Sequence, residues 1–293
     1  MKAFPSAPVW ALLAGAATWG VVWYPYRLLA QAGLDGAWST VLTYGLSLVV
    51  GAAIFRRAAA SLAGMPVLAI VMGAAIGWSN LAYVLAVIDG EVMRVLLLFY
   101  LAPLWTVPLA RVLLGERLGA TGMAVMALAF AGAMVMLWHP QVGWPWPRGR
   151  SDWLGLAAGF LFALGNVLVR KLSGMGDAAK SIVIWAGVTL AGLIQLPLGG
   201  SAPSVAFEAA RGVMPIVVGI GVALVVMSLC LQYGLSRLPA NRAIVILLFE
   251  LVVAALAAYV LAGEVLRPHE WIGGGLIVAA SLANGWVKEP RAP

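Results

Sequence analysis

The chain has 293 residues, of which 63% are hydrophobic and only 10% are charged, and its mean hydropathy is +1.00. The apolar stretches leave only short loops between them, which excludes a separate soluble catalytic domain or nucleic-acid-binding domain. The formal net charge of +7 is therefore interpreted as a determinant of membrane topology and not as a nucleic-acid-binding signal.

Ten apolar segments follow one another along the chain. A helix needs about 20 apolar residues to cross a bilayer, and most of these segments reach that length. Two prolines, Pro103 and Pro108, predict a kink in the fourth segment. We predict an all-α polytopic protein surrounded by a lipid bilayer, with transmembrane helices at residues 7–28, 36–56, 65–88, 92–113, 118–138, 153–171, 180–199, 212–236, 242–262 and 269–287.

The basic residues predict which way the helices run. With the N-terminus in the cytoplasm, twelve lysines and arginines fall on the cytoplasmic side and six on the other side. Short loops rich in lysine and arginine resist translocation across the membrane. We therefore expect a multi-pass protein with both termini in the cytoplasm.

The chain consists of two similar halves. The clearest sign is a motif that recurs after 148 residues, namely Arg94-(x)20-Gly115-Glu116-x-Leu118 and Arg242-(x)20-Gly263-Glu264-x-Leu266. Because each half holds five spans, an odd number, the two halves are predicted to have opposite orientations. We predict two inverted five-helix repeats around a central cavity, at residues 1–138 and 153–293, joined by an extracytoplasmic linker rich in proline and tryptophan at 139–152. Inverted repeats are common in secondary transporters, which expose a site at the repeat interface alternately to each side.

Glu250 is the most informative polar residue because it lies inside the ninth span. An ionisable group near the centre of a bilayer costs about 2.5 to 3.5 kcal/mol on insertion scales and generally faces a cavity or a partner. Glu250 could bind the amino group of a substrate, carry a coupling proton, or form a structural hydrogen bond to a neighbouring helix. The sequence leaves these three roles open.

Uncharged polar side chains within other spans are further candidates for substrate binding. Asn80, Asn166 and Gln232 can donate to a carboxylate and accept from an ammonium group, and Ser79 could serve the same cavity. The alternative is structural, since amides also join transmembrane helices to one another and a serine can bond to its own helix backbone.

Aromatic residues are more numerous than anchoring at the membrane surface requires. Together they would suit a mostly apolar pocket with a few orienting polar groups, although contact with lipid or packing in the core explains each ring equally well. The aromatic candidates for substrate contact are Trp19, Trp23, Trp78, Tyr83, Tyr100, Trp105 and Tyr233.

The inventory of reactive residues argues against an enzyme. Both histidines, His139 and His269, lie at predicted span ends, Cys230 is the single cysteine, and the sequence contains neither a His-Glu-x-x-His motif nor a phosphate-binding glycine loop. We therefore predict no catalytic residue, no metal and no cofactor. A membrane-embedded lipid-modifying enzyme is the competing class, and a channel would show flux without saturation.

Several motifs resemble those of one transporter family. The two Gly-Glu-x-Leu copies, Leu101-Ala102-Pro103, and the segment Arg-Leu-Pro-Ala-Asn-Arg-Ala at 237–243 are similar to the ten-helix, EamA-type exporters of the drug/metabolite transporter superfamily. The chain departs from that pattern at Leu251, where such proteins commonly have proline after the glutamate. The aromatic content looks most similar to the aromatic amino acid exporters within this group.

The resemblance implies an inner-membrane carrier that exports aromatic and other hydrophobic amino acids or similar amphipathic metabolites by alternating access. A broad drug or metabolite exporter with other substrates is the alternative. Protons are a candidate coupling ion and a monomer is the expected state. The sequence leaves open the substrate range, facilitated exchange as opposed to proton coupling, and the direction of transport.

Overall fold

The computed structural model describes residues 7–89, 92–138, 146–263 and 267–284, and within these ranges it contains helices and no strand. One 3-10 turn covers Ser61–Gly64. The α-helices, in chain order, are α1 (Ala7–Gln31), α2 (Gly36–Ile54), α3 (Arg56–Ala60), α4 (Val67–Asp89), α5 (Val92–Phe99), α6 (Ala102–Leu114), α7 (Ala120–Met136), α8 (Arg150–Lys171), α9 (Asp177–Gly199), α10 (Pro203–Arg237), α11 (Ala240–Leu247), α12 (Phe249–Ala262) and α13 (Pro268–Asn284).

The helices correspond to the ten predicted spans. In the described residues, eight helical stretches have the length and apolar composition needed to cross a membrane, with α5–α6 and α11–α12 each forming one stretch. Helix α7 is a shorter apolar helix, and α13 has 17 residues. The prediction of an all-α polytopic membrane protein is confirmed.

Helix packing relates the two halves by a pseudo-two-fold pattern. Helix α4 packs against α8 and α9, and its counterpart α10 packs in the same way against α1 and α2. Likewise α6 contacts α8 while α12 contacts α1, and the remaining principal pairs, α2–α9 and α7–α13, join equivalent helices. Most of the packing therefore lies between the halves, which places their interface at the centre of the molecule.

Glycines allow a close crossing between α4 and α9. A Cβ atom on Gly187 would collide with the carbonyl oxygen of Gly73, and one on Gly77 would collide with the carbonyl oxygen of Gly187. Backbone atoms cannot move aside as a side chain can, so these positions require glycine. Small residues at interfaces are the usual means by which membrane helices approach each other.

The recurring Gly-Glu motif has the same backbone geometry where it can be compared. Gly115 and Gly263 both have positive φ, at 71° and 68°. Each ends a helix by donating its N–H to a carbonyl five residues earlier, that of Ala110 or of Ala258. Glycine adopts this left-handed conformation without steric cost. The side chain of Arg94 and the residues Glu264 and Leu266 lie outside the described residues.

Several helix boundaries differ from prediction, most by two or three residues and one by nine. Helix α10 begins at Pro203, nine residues before the predicted start, because proline fits the first turn of a helix, where its missing N–H needs no partner. Helix α8 begins at Arg150, and its first turn contains Asp152, which accepts a hydrogen bond from the Arg148 N–H (2.7 Å). Residues 139–145 of the predicted linker lie outside the described residues, and the limits of the two repeats stay predictions.

Candidate functional site

Two spans are interrupted at equivalent positions of the two halves. The break between α5 and α6 falls at Tyr100 and Leu101, and that between α11 and α12 falls at Leu248, 148 residues after Tyr100. Pro103 in the first turn of α6 explains the first break. The second has no proline, so tertiary packing must stabilise it. Interrupted helices near the middle of a membrane commonly form the binding sites of transporters.

Glu250 lies in the first turn of α12, directly after the second break. Its carboxylate Oε1 accepts a hydrogen bond of 3.1 Å from the hydroxyl of Tyr100, which is only 8% exposed. The pair joins the two interrupted spans and therefore the two halves of the chain. The structure thus brings two of the predicted site residues into direct contact.

Aromatic rings surround this pair on the side of the first half. The ring of Phe99 contacts those of Tyr83 and Tyr100 edge-on, with centroids 5.3 and 5.2 Å apart, and that of Phe162 at 5.3 Å. The carboxylate, the two phenols and the two phenyl rings form a connected set of contacts, hereafter called the Glu250 cluster (Tyr83, Phe99, Tyr100, Phe162 and Glu250).

Helix α1 approaches the cluster from the other side. Gly20 is buried, and a Cβ atom there would lie 2.8 Å from the Glu250 carbonyl oxygen and 2.9 Å from the Ala254 nitrogen. The predicted residues Trp19 and Trp23 are half-buried beside this crossing, and the Trp23 ring packs edge-on against Tyr24 at 5.7 Å. Both tryptophans are therefore close in sequence to the point where α1 contacts α12.

Other predicted site residues have different surroundings. Ser79 donates a hydrogen bond of 2.9 Å to the Ala158 carbonyl and so joins α4 to α8. Trp78 is 47% exposed and lines an apolar surface groove between α4 and α9. Trp105 packs edge-on against Phe160 at 5.7 Å.

Asn80 is half-buried on α4. The guanidinium carbon of Arg237 lies 3.8 Å from the centroid of the Tyr233 ring, in a cation–π arrangement. These contacts supply no link from Asn80 or Tyr233 to the Glu250 cluster.

The two remaining predicted amides are both buried, Asn166 at 9% exposure and Gln232 at 4%. Among the residues that the structure describes, Asn166 Nδ2 and Gln232 Oε1 have no hydrogen-bond partner. Buried polar atoms are nearly always paired in folded proteins, so an unpaired donor and an unpaired acceptor need an explanation.

A polar network closes one end of the molecule, hereafter called the inner end (residues 113–117, 170–180 and 236–241). Glu116 accepts a hydrogen bond of 2.8 Å from the Ala240 N–H at the start of α11 and lies 3.5 Å from Arg170 Nε. Arg170 Nη1 in turn donates to the Ser236 carbonyl (2.6 Å). Burial raises the pKa of the Glu116 carboxyl, although Ala240 and Arg170 oppose that effect. A carboxylate at a helix N-terminus satisfies a free N–H and interacts favourably with the helix dipole.

A second group of charges lies at the same end. Lys180 is completely buried and contacts Ser236 Oγ, with Asp177 Oδ1 at 3.2 Å. The other oxygen of Asp177 accepts from Arg237 Nη1 (2.7 Å). This network links α9 to the end of α10, and its two cations share the single carboxylate of Asp177.

The opposite end is closed by Asp35, which precedes α2. Its carboxylate accepts from the Trp38 N–H (3.0 Å) and from the N–H and hydroxyl of Ser201 (2.8 and 2.6 Å). Burial raises the pKa of the Asp35 carboxyl, but these hydrogen bonds outweigh burial, and the resulting pKa lies below its usual value. Asp35 therefore fastens the loop between α9 and α10 to the start of α2.

Sequence reasoning did not identify Asp35, Glu116, Asp177 or Lys180. The recurring Gly-Glu motif singles out Glu116 in the sequence. The residue that donates to Glu116, Ala240, is 124 residues away, so the motif does not indicate what Glu116 contacts. Within the described ranges, no group of three or more histidine, cysteine, aspartate or glutamate residues is arranged to hold a metal ion.

Comparison with known proteins identifies the family. A model of the EamA-like transporter family matches residues 149–285. A protein of Streptantibioticus cattleyicolor named "Probable terminal-alkyne amino-acid exporter" is 30% identical over 295 residues, which cover 94% of this chain and 93% of that protein. The chain belongs to the EamA-like transporter family. Its predicted membership in the drug/metabolite transporter superfamily is confirmed, and the narrower similarity to aromatic amino acid exporters stays a prediction.

Other similar proteins agree with this family assignment. An "Uncharacterized transporter" of Archaeoglobus fulgidus is 29% identical over 204 residues, covering 69% of this chain and 70% of that protein. A "Riboflavin transporter" of Rhizobium johnstonii is 25% identical over 217 residues, covering 69% and 64%. A solved structure named "Crystal structure of protein" has a TM-score of 0.75 at 18% identity, covers 96% of this chain and 98% of its own, and shows the shared fold. This EamA-like protein is accordingly a multi-pass membrane transporter.

Proposed function

We propose that this transporter exports aromatic and other hydrophobic amino acids, and that the Glu250 cluster is part of its substrate site. The observation that carries the proposal is the hydrogen bond between Tyr100 and Glu250, which lies where the interrupted spans of the two halves meet. A single acid among aromatic rings is unusual inside a membrane and expensive to place there.

The chemistry of the cluster suits a substrate that has an ammonium group and an apolar body. A carboxylate attracts the ammonium group, and the faces of Tyr83, Phe99 and Phe162 can contact a hydrophobic or aromatic side chain. Proton binding at Glu250 is a compatible role, because an ammonium substrate and a proton would compete for the same oxygens. The pH-gradient arm of the experiment below distinguishes exchange of these two cations from transport without proton coupling.

The relatives support a small amphipathic substrate. One is named as an exporter of an amino acid and another as a transporter of riboflavin, which contains an aromatic ring system. The second candidate function, a broad metabolite exporter, rests on this diversity of names.

Alternating access is the mechanism that we propose for this transport. The Glu116–Ala240 contact joins the first half to the second at the inner end, and opening that end requires this contact to break. We propose, from the positive-inside rule, that the inner end faces the cytoplasm and that both termini are cytoplasmic. The inner membrane as the location is what the family resemblance implies. We propose a monomer that releases substrate at the opposite end.

Transport by purified protein in liposomes tests the proposal. Uptake of labelled phenylalanine, tryptophan and a hydrophilic control amino acid is measured for the wild type, with and without a pH gradient. Glu250→Gln is compared with Glu208→Gln, which removes an exposed acid from the start of α10. We expect saturable, stereoselective aromatic flux that Glu250→Gln abolishes or makes insensitive to pH while Glu208→Gln leaves it unchanged.

The opposite results are equally clear. Wild-type protein that shows no selective amino acid flux under any gradient would exclude amino acids as substrates and favour the broad metabolite exporter. Flux that Glu250→Gln leaves intact would remove the Glu250 cluster from the site.

A further inference from the structure

We infer that Asn166 and Gln232 form a second polar subsite, which binds the carboxylate of the transported amino acid and one N–H of its ammonium group. The inference rests on the proposed function and adds how the transporter recognises the second charged group of its substrate.

The first observation is the pair of unpaired atoms. Asn166 Nδ2 is a hydrogen-bond donor, Gln232 Oε1 is an acceptor, and neither has a partner in the part of the chain that the structure describes. Both side chains are at least nine-tenths buried, so bulk water does not satisfy them. Leaving such atoms unpaired is unfavourable, and a ligand with a matching acceptor and donor removes that cost.

The second observation is the position of the two amides. Arg170 Nη1 bonds to the Ser236 carbonyl, so the C-terminal ends of α8 and α10 lie side by side. Asn166 and Gln232 each lie one helical turn before these residues, about 6 Å further into the bundle. The equal spacing places the two amides at about the same depth, and Gln232 lies on the face of α10 whose Ser228 and Ser236 hydroxyls contact α9, next to the end of α8.

The third observation connects the amides to the Glu250 cluster. Phe162 lies one turn before Asn166 on the same face of α8, and its ring contacts Phe99. Asn166 is therefore about one helical turn from the aromatic rings. An amino acid whose side chain contacts those rings can extend its polar end toward Asn166 and Gln232.

The charges nearby favour a carboxylate at Asn166. Arg170 and Lys180 lie beyond the amides, at the inner end, and Glu250 lies on the other side. Glu116 and Asp177 neutralise two of the three cations Arg170, Lys180 and Arg237. The remaining positive charge favours an anion near Asn166, while the ammonium group of the substrate is directed toward Gln232 Oε1 and Glu250. The two amides carry no formal charge, so they bind a zwitterion without adding a net charge to the site.

Three probes that share one phenyl ring test the inference: phenylalanine, phenethylamine, which lacks the carboxylate, and 3-phenylpropanoate, which lacks the ammonium group. Each competes with labelled phenylalanine for wild-type protein in liposomes. We expect phenylalanine to compete at least tenfold better than either of the others. A wild type for which phenethylamine competes equally well overturns the inference before any variant is made.

Variants then assign the carboxylate contact to Asn166. Asn166→Asp replaces the donor with a negative charge, and we expect it to weaken competition by phenylalanine at least tenfold while changing that of phenethylamine less than twofold. Asn166→Ser, which retains a donor, should recover part of the phenylalanine preference. The ratio between two probes on one protein is independent of how much of the variant folds.

The control is Gln195→Leu, which removes a buried amide from α9. It should leave competition by phenylalanine and competition by phenethylamine unchanged. Equal weakening of both probes by Asn166→Asp and Asn166→Ser would show that the amide pair only packs the helices. Failure of the proposed function looks different, because wild-type protein would then show no selective phenylalanine flux at all.

Discussion

Tyr100 and Glu250, from opposite halves of the chain, are joined by a hydrogen bond of 3.1 Å between the phenol and the carboxylate. In the repeat, Tyr100 corresponds to Leu248 and Glu250 corresponds to Ala102, because the offset is 148 residues. The helices of the two halves pack in the same pattern, but Leu248 and Ala102 are apolar, so the phenol and the carboxylate each occur once. A substrate bound at this pair meets one acid and not two.

Replacing Tyr100 with phenylalanine tests the contribution of this hydrogen bond to the site. The substitution keeps the ring among its aromatic neighbours and removes only the hydroxyl. A hydrogen bond contributes about 1 kcal/mol, which corresponds to about a fivefold rise in the substrate concentration needed for half-maximal flux. Tyr259→Phe on the lipid-exposed side of α12 is the control, and equal values for the two variants would contradict the assignment.

Breaking the Glu116 contact should open the inner end more often. We expect Glu116→Gln to weaken the bond to the Ala240 N–H, because a neutral amide interacts less strongly with a helix N-terminus than a carboxylate does. Opening is measured by the labelling rate of a cysteine introduced with Val167→Cys, in a protein whose single native cysteine is removed by Cys230→Ser. Val167 is suitable because it is buried against Ala240.

A membrane-impermeant maleimide applied from the inner side should label position 167 several times faster when Glu116→Gln is added. Glu208→Gln at the other end is the matched control. An unchanged labelling rate would mean that the Glu116 contact does not hold the inner end closed.

The glycine crossing of α4 and α9 predicts a large effect from a single methyl group. Gly187→Ala places a Cβ against the carbonyl oxygen of Gly73, and overpacking of this kind costs about 1 to 3 kcal/mol. Gly219→Ala on α10 meets no atom within 4 Å and should be neutral or slightly stabilising, because alanine favours a helix. The unfolding temperature in detergent checks both, and similar temperatures for the two variants would be incompatible with the crossing.

Asp35 predicts a stability that depends on pH. Its pKa is lowered in the folded protein, so the ionised carboxylate stabilises the fold at pH values above the unfolded pKa of about 3.9, and this contribution is lost as the pH falls through the folded pKa. We expect Asp35→Asn to lower the unfolding temperature at pH 7 and to converge with the wild type toward pH 3. Glu208→Gln should change neither temperature, and a constant difference across this pH range for Asp35→Asn would refute the argument.

The membrane fold follows from local features of the sequence, whereas the contacts at the site depend on distant residues. Apolar length predicts the spans, and Pro103 predicts the interruption before α6. The break at Leu248 has no such marker, and its position becomes visible only through the repeat and the packing around it. A helix interruption caused by tertiary contacts leaves no local pattern to detect.

The same limit applies to the charged residues at the ends. Asp35 and Ser201 are 166 residues apart, and Glu116 and Ala240 are 124 apart, so neither pair has a sequence spacing that predicts it. Glu250 could be singled out because an acid within an apolar span is conspicuous. Its partner Tyr100 was one of several aromatic candidates, and only the fold distinguishes it from Trp78, which faces the surface groove.

The pairing of α1 with α10 and α12, and of α4 with α8 and α9, also constrains how the chain is made. The ribosome completes the first five spans before the helices that cover them exist. Until then Gly20 and Gly77 face lipid, and the first half has little of its own to pack against. The newly made first half therefore stays loosely packed in the bilayer until the second half has been synthesised. During that interval it is accessible to membrane proteases that degrade unassembled proteins.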